Sequence, residues 1–181
     1  GAIKPLVMDL EWDVDSFTLS PDGKQIVFEV NEAGASSLFL YEVETGKRTR
    51  VQGLPQGVVA LGDWHHNSQE FAVTINSARS TSDIYSVKSA SGEVTRWTES
   101  ELGGLIADQL VEPKLIRWKS FDDLNVSGFY YPAPSRFQGK RPVIIQIHGG
   151  PEGQSGPSFQ GRNNYFLNEL GVALILPNVR G

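Results

Sequence analysis

Short runs in which apolar and polar residues alternate, each closed by a turn signal, fill the first hundred residues, and this period of two predicts β-strands. The runs repeat. Leu19-Ser20-Pro21-Asp22-Gly23-Lys24-Gln25-Ile26-Val27-Phe28 realigns, 45 residues on, with Trp64-His65-His66-Asn67-Ser68-Gln69-Glu70-Phe71-Ala72-Val73. Leu38-Phe39-Leu40-Tyr41, followed by Glu44-Thr45-Gly46-Lys47, matches Ile84-Tyr85-Ser86-Val87, followed by Ala90-Ser91-Gly92-Glu93, at an offset of 46. Pro21 presets φ for a turn, Asp22 bonds the backbone ahead of it, and Gly23 takes the positive φ of a tight hairpin. A unit of about 45 residues with several short strands, ending in a Thr-Gly or Ser-Gly hairpin, is the signature of a propeller blade. An ordinary meander in a sandwich is the alternative. Two blades neither close a ring nor cover both of their faces, so more chain is expected before Gly1.

After Glu101 the pattern changes. Residues 114–120 and 126–131 alternate as two strands around Phe121-Asp122-Asp123-Leu124-Asn125, a predicted hairpin. Pro132 and Pro134 mark a linker. Val143-Ile144-Ile145-Gln146-Ile147 is apolar enough to predict a strand buried on both faces. Residues 163–170 predict a helix stopped by Gly171, and residues 172–176 predict a second buried strand ending at Pro177. Strand, turn, helix and strand in that order open an α/β sheet. The expected division is residues 1–112, the last blades of a propeller, and residues 113–181, the first part of an α/β unit, both incomplete.

Composition narrows the function. The 181 residues carry a formal charge of −5, 39% are apolar and 20% charged, a globular balance. Charge is uneven: −6 over residues 1–100 against +1 over residues 101–181. No basic field is available for nucleic acid. The aliphatic runs at 143–147 and 172–176 are far below the roughly 20 residues of a membrane span. The absence of Cys removes disulfides, thiolate zinc sites and cysteine nucleophiles without deciding the compartment, and localisation stays open.

Nine of the 23 residues from 139 to 161 are Gly or Pro. Adjacent glycines directly after a buried strand let backbone N–H groups approach a ligand that a side chain would block. Pro151 has no N–H, which makes Gly150 the last donor before Glu152. In an α/β-hydrolase, a loop here supplies one of the two N–H groups that hold the oxyanion. His148-Gly149-Gly150-Pro151-Glu152-Gly153-Gln154-Ser155, preceded by residues 142–147 and followed by Leu174-Ile175-Leu176-Pro177-Asn178-Val179-Arg180-Gly181, resembles the start of the catalytic domain in the prolyl oligopeptidase family of serine peptidases. Its acylaminoacyl-peptidase and dipeptidyl-aminopeptidase-like branches are the most similar. In that family a β-propeller precedes an α/β-hydrolase domain, which agrees with the blade-like repeats.

The resemblance implies an oxyanion-binding backbone N–H at Gly150, with Gly149 and His148 shaping the turn. Arg180 matches the Arg of the family's Asn-x-Arg-Gly segment and is either a site organiser or a cap on a strand end. It also implies short peptide substrates and no metal or organic cofactor. The remainder of the same polypeptide is the expected partner, with no nucleic acid and no membrane span. The triad is missing. Gly153-Gln154-Ser155-Gly156-Pro157 ends in Pro where the nucleophile elbow needs Gly, and no His follows a candidate Ser and Asp. The 181 residues alone are therefore expected to be inactive and, with open sheet edges, prone to aggregate; the polypeptide is expected to continue into Gly-x-Ser-x-Gly, then Asp, then His. An esterase or lipase with a His-Gly-Gly loop and a non-catalytic propeller module remain as alternatives.

Other motifs fall away. Asp63 and His65 have no third ligand in view, so a turn variant explains them better than a metal. The glycines of 149–156 match neither dinucleotide nor phosphate-loop patterns. Phe28, Phe39, Tyr41, Phe71, Tyr85 and Trp97 are expected in the core, and Glu11, Asp13 and Asp15 on a solvated edge.

Overall fold

The repeat of turn chemistry in the sequence becomes a repeat of sheets. The computed structural model describes residues 5–7, 9–150 and 152–180. Strands β1 (Val14–Leu19), β2 (Gln25–Glu32), β3 (Ala35–Glu42) and β4 (Arg48–Arg50) form one antiparallel sheet in chain order. Strands β5 (Gly57–Trp64), β6 (Glu70–Ser77), β7 (Ser80–Lys88) and β8 (Val94–Arg96) form a second of the same blade-like kind. At the β1–β2 turn the Lys24 N–H donates to the Asp22 carboxylate at 3.1 Å, and at the β5–β6 turn the Gln69 N–H donates to Asn67 at 2.9 Å. The same local bond, 45 residues apart, closes both ladders.

Period-two alternation decides how the sheets stack. Val27 and Leu38 on one face of the first sheet pack against Phe71, Val73, Ile75, Tyr85 and Val87 of the second. The opposite face of the first sheet carries Phe28, Val30 and Tyr41 with Ile26 and Phe39. Among the described residues three polar bonds cross between the sheets: the Val59 N–H to Ser36 Oγ at 3.0 Å, the Trp64 indole N–H to the Thr18 carbonyl at 3.3 Å, and the Asp22 N–H to Ser68 Oγ at 3.1 Å. Phe28, Tyr41, Phe71 and Tyr85 are buried as expected, but Trp97 is 66% exposed. Its indole N–H donates to Ser86 Oγ, on the face of β7 opposite Tyr85 and Val87, so it lies on the side of the sheet turned away from the first sheet.

The third sheet contains β9 (Lys114–Lys119), β10 (Asn125–Tyr131), β11 (Val143–Ile145) and β12 (Ala173–Asn178) in the order β11-β12-β10-β9, with one helix, α1 (Asn163–Asn168). β11 and β12 run parallel and the other pairs antiparallel. Two expectations fail here. β11 is not buried on both faces: among the described strands it lies at the edge of its sheet, and Ile145 is 63% exposed because no described residue covers that side. β12 does not stop before Pro177 but passes through it. Ile175 turns its carbonyl towards β11, where it accepts the Gln146 N–H at 2.9 Å. Two residues on, Pro177 faces the same way with no N–H to give, so the parallel ladder ends there while β12 continues to pair with β10.

The stop after α1 is built from side chains as well as Gly171, whose φ is +60°. Arg141 donates to the carbonyls of Gly171 at 2.9 Å and Leu170 at 2.7 Å, and Arg136 donates to that of Asn168. Both guanidinium groups lie against the Phe137 ring, 5.0 and 5.1 Å from its centre. A Cβ at Gly171 would collide with the Phe137 ring. Gly171→Ala is therefore expected to cost about 2 kcal/mol or more, from left-handed backbone plus overpacking, read as a lower urea midpoint.

Candidate functional site: a glycine loop at the end of a parallel strand

Because β11 and β12 run parallel, the segments leaving their C-terminal ends emerge at the same edge of the sheet. His148, Gly149 and Gly150 leave β11 there, and Arg180 follows β12. Pro151 and Gly181 lie outside the described residues.

The glycine loop is tight. Gly150 has φ +151°, and a Cβ there would lie 2.9 Å from the backbone N and C of Glu152. A Cβ at Gly153 would lie 2.5 Å from the Gly149 carbonyl and 3.1 Å from His148 Nδ1. His148 Nδ1 is 3.3 Å from the Gly149 carbonyl oxygen. Donation from Nδ1 to that carbonyl selects the tautomer in which Nε2 is an acceptor, and Nε2 is buried with no hydrogen-bond partner among the described residues. The histidine thus braces its own loop.

Arg180 takes a different direction. Its guanidinium donates to Asp122 Oδ2 at 2.7 Å and Ser120 Oγ at 3.1 Å, and lies 5.1 Å from the ring centre of Phe121. These residues form the β9–β10 turn, on the side of β12 away from β11. The Arg180 hydrogen bond is the main reason the Asp122 carboxyl sits below its ordinary range. Among the described residues no hydrogen bond joins Arg180 to His148, Gly149 or Gly150.

Residues 152–160 have no regular backbone structure, yet side chains tie them at both ends. Asn31 Nδ2 donates to Gln154 Oε1 at 2.7 Å, the Ser155 N–H to Asn178 Oδ1 at 2.7 Å, and the Phe159 N–H to Asn76 Oδ1 at 2.7 Å. Tyr131 donates its hydroxyl to the Ser158 carbonyl and accepts from Gln160 Nε2, both at 2.9 Å. Burial pushes the Tyr131 phenol well above its ordinary pKa, so it stays neutral in this role. Ser155 is a loop residue, and among the described residues no imidazole bonds to it. The ties from Asn31 and Asn76 escaped the sequence reading, although the realignment at 45 residues places Asn on Asn.

No protein-family model matches the chain. Among curated proteins it is 35% identical over 98 residues to a Tricorn-like protease C-terminal subunit of Sulfurisphaera tokodaii, covering 54% of this chain and 11% of that protein. Prolyl oligopeptidase B from Galerina marginata matches over 99% of this chain with a TM-score of 0.83 at 17% identity. Pyrococcus horikoshii acylaminoacyl peptidase matches over 98% with a TM-score of 0.72 at 22% identity. The chain spans 26% of each of these two solved chains. Similarity of fold therefore falls on the same group of peptidases as the resemblance read from the His-Gly-Gly-Pro stretch, and the blade-like sheets match the propeller portion of prolyl peptidases.

Proposed function

We propose, from a sequence and a fold that both resemble the prolyl oligopeptidase family, that this chain is the part of a serine peptidase where a β-propeller gives way to an α/β-hydrolase domain. Residues 1–112 are the propeller part and residues 113–181 open the hydrolase sheet. The observation that carries the reading is the seating of His148-Gly149-Gly150 at the C-terminal end of a parallel strand, the edge where open α/β sheets bind ligands. In this reading the Gly150 N–H holds the negative oxygen formed when a serine elsewhere in the polypeptide attacks a peptide carbonyl. A histidine there carries the proton and an aspartate orients it.

Two surfaces support a larger whole. Ile26, Phe28, Val30, Phe39 and Tyr41 of the first sheet occupy the positions of Phe71, Val73, Ile75, Tyr85 and Val87, the face by which the second sheet packs on the first. Repeating that stacking once more places a further blade on the first sheet. The exposed side of β11, with Val143, Ile145 and Ile147, awaits cover of the same apolar kind. A propeller in front of the site would admit short peptides and exclude folded proteins.

The test is a fluorophosphonate probe and a peptide anilide applied to the full-length protein. We expect labelling of one serine outside these 181 residues and hydrolysis of the anilide. Labelling with turnover of simple acyl esters alone points to the esterase alternative, and absence of labelling overturns the enzyme reading.

A further inference from the structure

We propose that Asn31 and Asn76, equivalent positions in the two blade-like sheets, are positioning residues for the glycine loop, clamping the segment that follows it to the propeller part. The inference rests on the oxyanion role given to Gly150. Each asparagine stands two residues before a β-hairpin tip, Ala33-Gly34 in one sheet and Ala78-Arg79 in the other, and both tips meet the third sheet. A Cβ at Gly34 would lie 2.6 Å from the Ser155 carbonyl and 3.0 Å from the Phe129 ring, while Ala78 packs in the cluster of Phe129, Tyr131 and Leu167. At this seam Asn31 grips Gln154 and Asn76 grips the Phe159 N–H, so two copies of one repeat position hold the two ends of a single segment.

The clamp reaches the glycines by contact. Gln154 adjoins Gly153, which sits against the Gly149 carbonyl and the His148 ring with no room for a Cβ. Gly156 is equally confined, since a Cβ there would lie 2.5 Å from a Val58 methyl and 3.0 Å from the Gly34 carbonyl. The segment has no ladder bonds of its own, so these side-chain ties, with Asn178 and Tyr131, determine where it rests. Reactions that depend on a preorganised donor are sensitive to shifts of about 1 Å, so a seam between two units becomes part of the reacting geometry.

The bonds dictate which substitutions matter. Asn76 accepts, so Asn76→Asp keeps the bond and Asn76→Ala removes it. Gln154 accepts as well, so Gln154→Glu keeps the Asn31 bond and Gln154→Ala removes it. Amide hydrogen exchange in the full-length protein is expected to quicken about tenfold at Gly153, Ser155 and Phe159 in Asn31→Ala, Gln154→Ala and Asn76→Ala, while the Asp and Glu variants stay near wild type. Adding Gln154→Ala to Asn31→Ala should change little at Gly153 and Ser155. In the same alanine variants kcat is expected to fall about tenfold with KM within twofold, and the acidic variants restore it. Equal exchange in all variants overturns the clamp. Faster exchange with unchanged kcat in an active enzyme overturns the positioning role. A wild-type protein without hydrolase activity refutes the function proposed above, and with it the catalytic part of this inference.

Discussion

Gly150→Ala in the full-length protein is expected to lower kcat for peptide hydrolysis by about 10²–10³-fold with little change in KM, the loss typical of one oxyanion donor, about 3–4 kcal/mol. A methyl group at Gly150 meets the backbone of Glu152 at 2.9 Å, and φ of +151° disfavours any side chain, so the peptide plane that carries the N–H must turn. In the role proposed for Gly150 the donor is used only when charge develops on the oxygen, so ground-state binding, which depends on other contacts, is expected to be spared. Gly149 offers a contrast: a Cβ there meets nothing within 4 Å, and Gly149→Ala should lose much less. Steady-state kinetics on a peptide anilide reads both, and a Gly150→Ala rate within threefold of wild type would remove Gly150 from the mechanism.

Arg96→Leu is expected to cost about 3 kcal/mol in urea unfolding, through the charge it strands. Asp83 is 0% exposed, and its carboxylate accepts from the Arg96 guanidinium at 2.6 Å, the Ser100 N–H at 2.7 Å and the Thr98 hydroxyl at 3.2 Å. Burial pulls the Asp83 pKa up, but the Ser100 N–H and the Arg96 guanidinium outweigh it, and the carboxyl rests below its ordinary value. Loss of one partner of such a pair leaves a poorly compensated buried charge, a cost of roughly 3–5 kcal/mol. The lower end applies because the Arg96 side chain is 41% exposed and water screens it. A carboxyl depressed in the folded state adds stability above its unfolded pKa of about 3.9, and that stability is lost as pH falls through the folded value. Wild type and Arg96→Leu should therefore differ fully at neutral pH and converge below about pH 4. A gap independent of pH would show that Arg96 acts by packing alone. In the first sheet the equivalent Arg50 pairs with Glu32 and Ser37, so the second repeat carries its carboxylate on β7, at the position of Ser37, where the first carries it at the end of β2.

Local signals made the strands legible. Asp22 and Asn67 bond backbone two residues ahead, so the turns and the 45-residue repeat could be read without any tertiary contact. The hairpin around Phe121-Asp122-Asp123-Leu124-Asn125 and the stop at Gly171 were legible for the same reason. The His-Gly-Gly stretch marked the glycine loop because glycine supplies a positive φ, which Gly150 adopts, although Gly149 has room for a Cβ. Exposure was not legible. Residues 143–147 have the composition of a buried strand, and whether another layer packs over their side chains is decided elsewhere in the fold; Trp97 is left outside by the same kind of distant choice.

The sequence by itself thus determined the blade-like repeats, the β9–β10 hairpin and the place of the glycines, since each depends on residues a few positions apart. Only the tertiary structure decided that Arg180 leans to Asp122 and that Asn31 and Asn76 hold the segment beyond the glycines. Those bonds span 58, 123 and 83 residues, and a hydrogen bond closed over such lengths leaves no mark on the local pattern of apolar and polar positions.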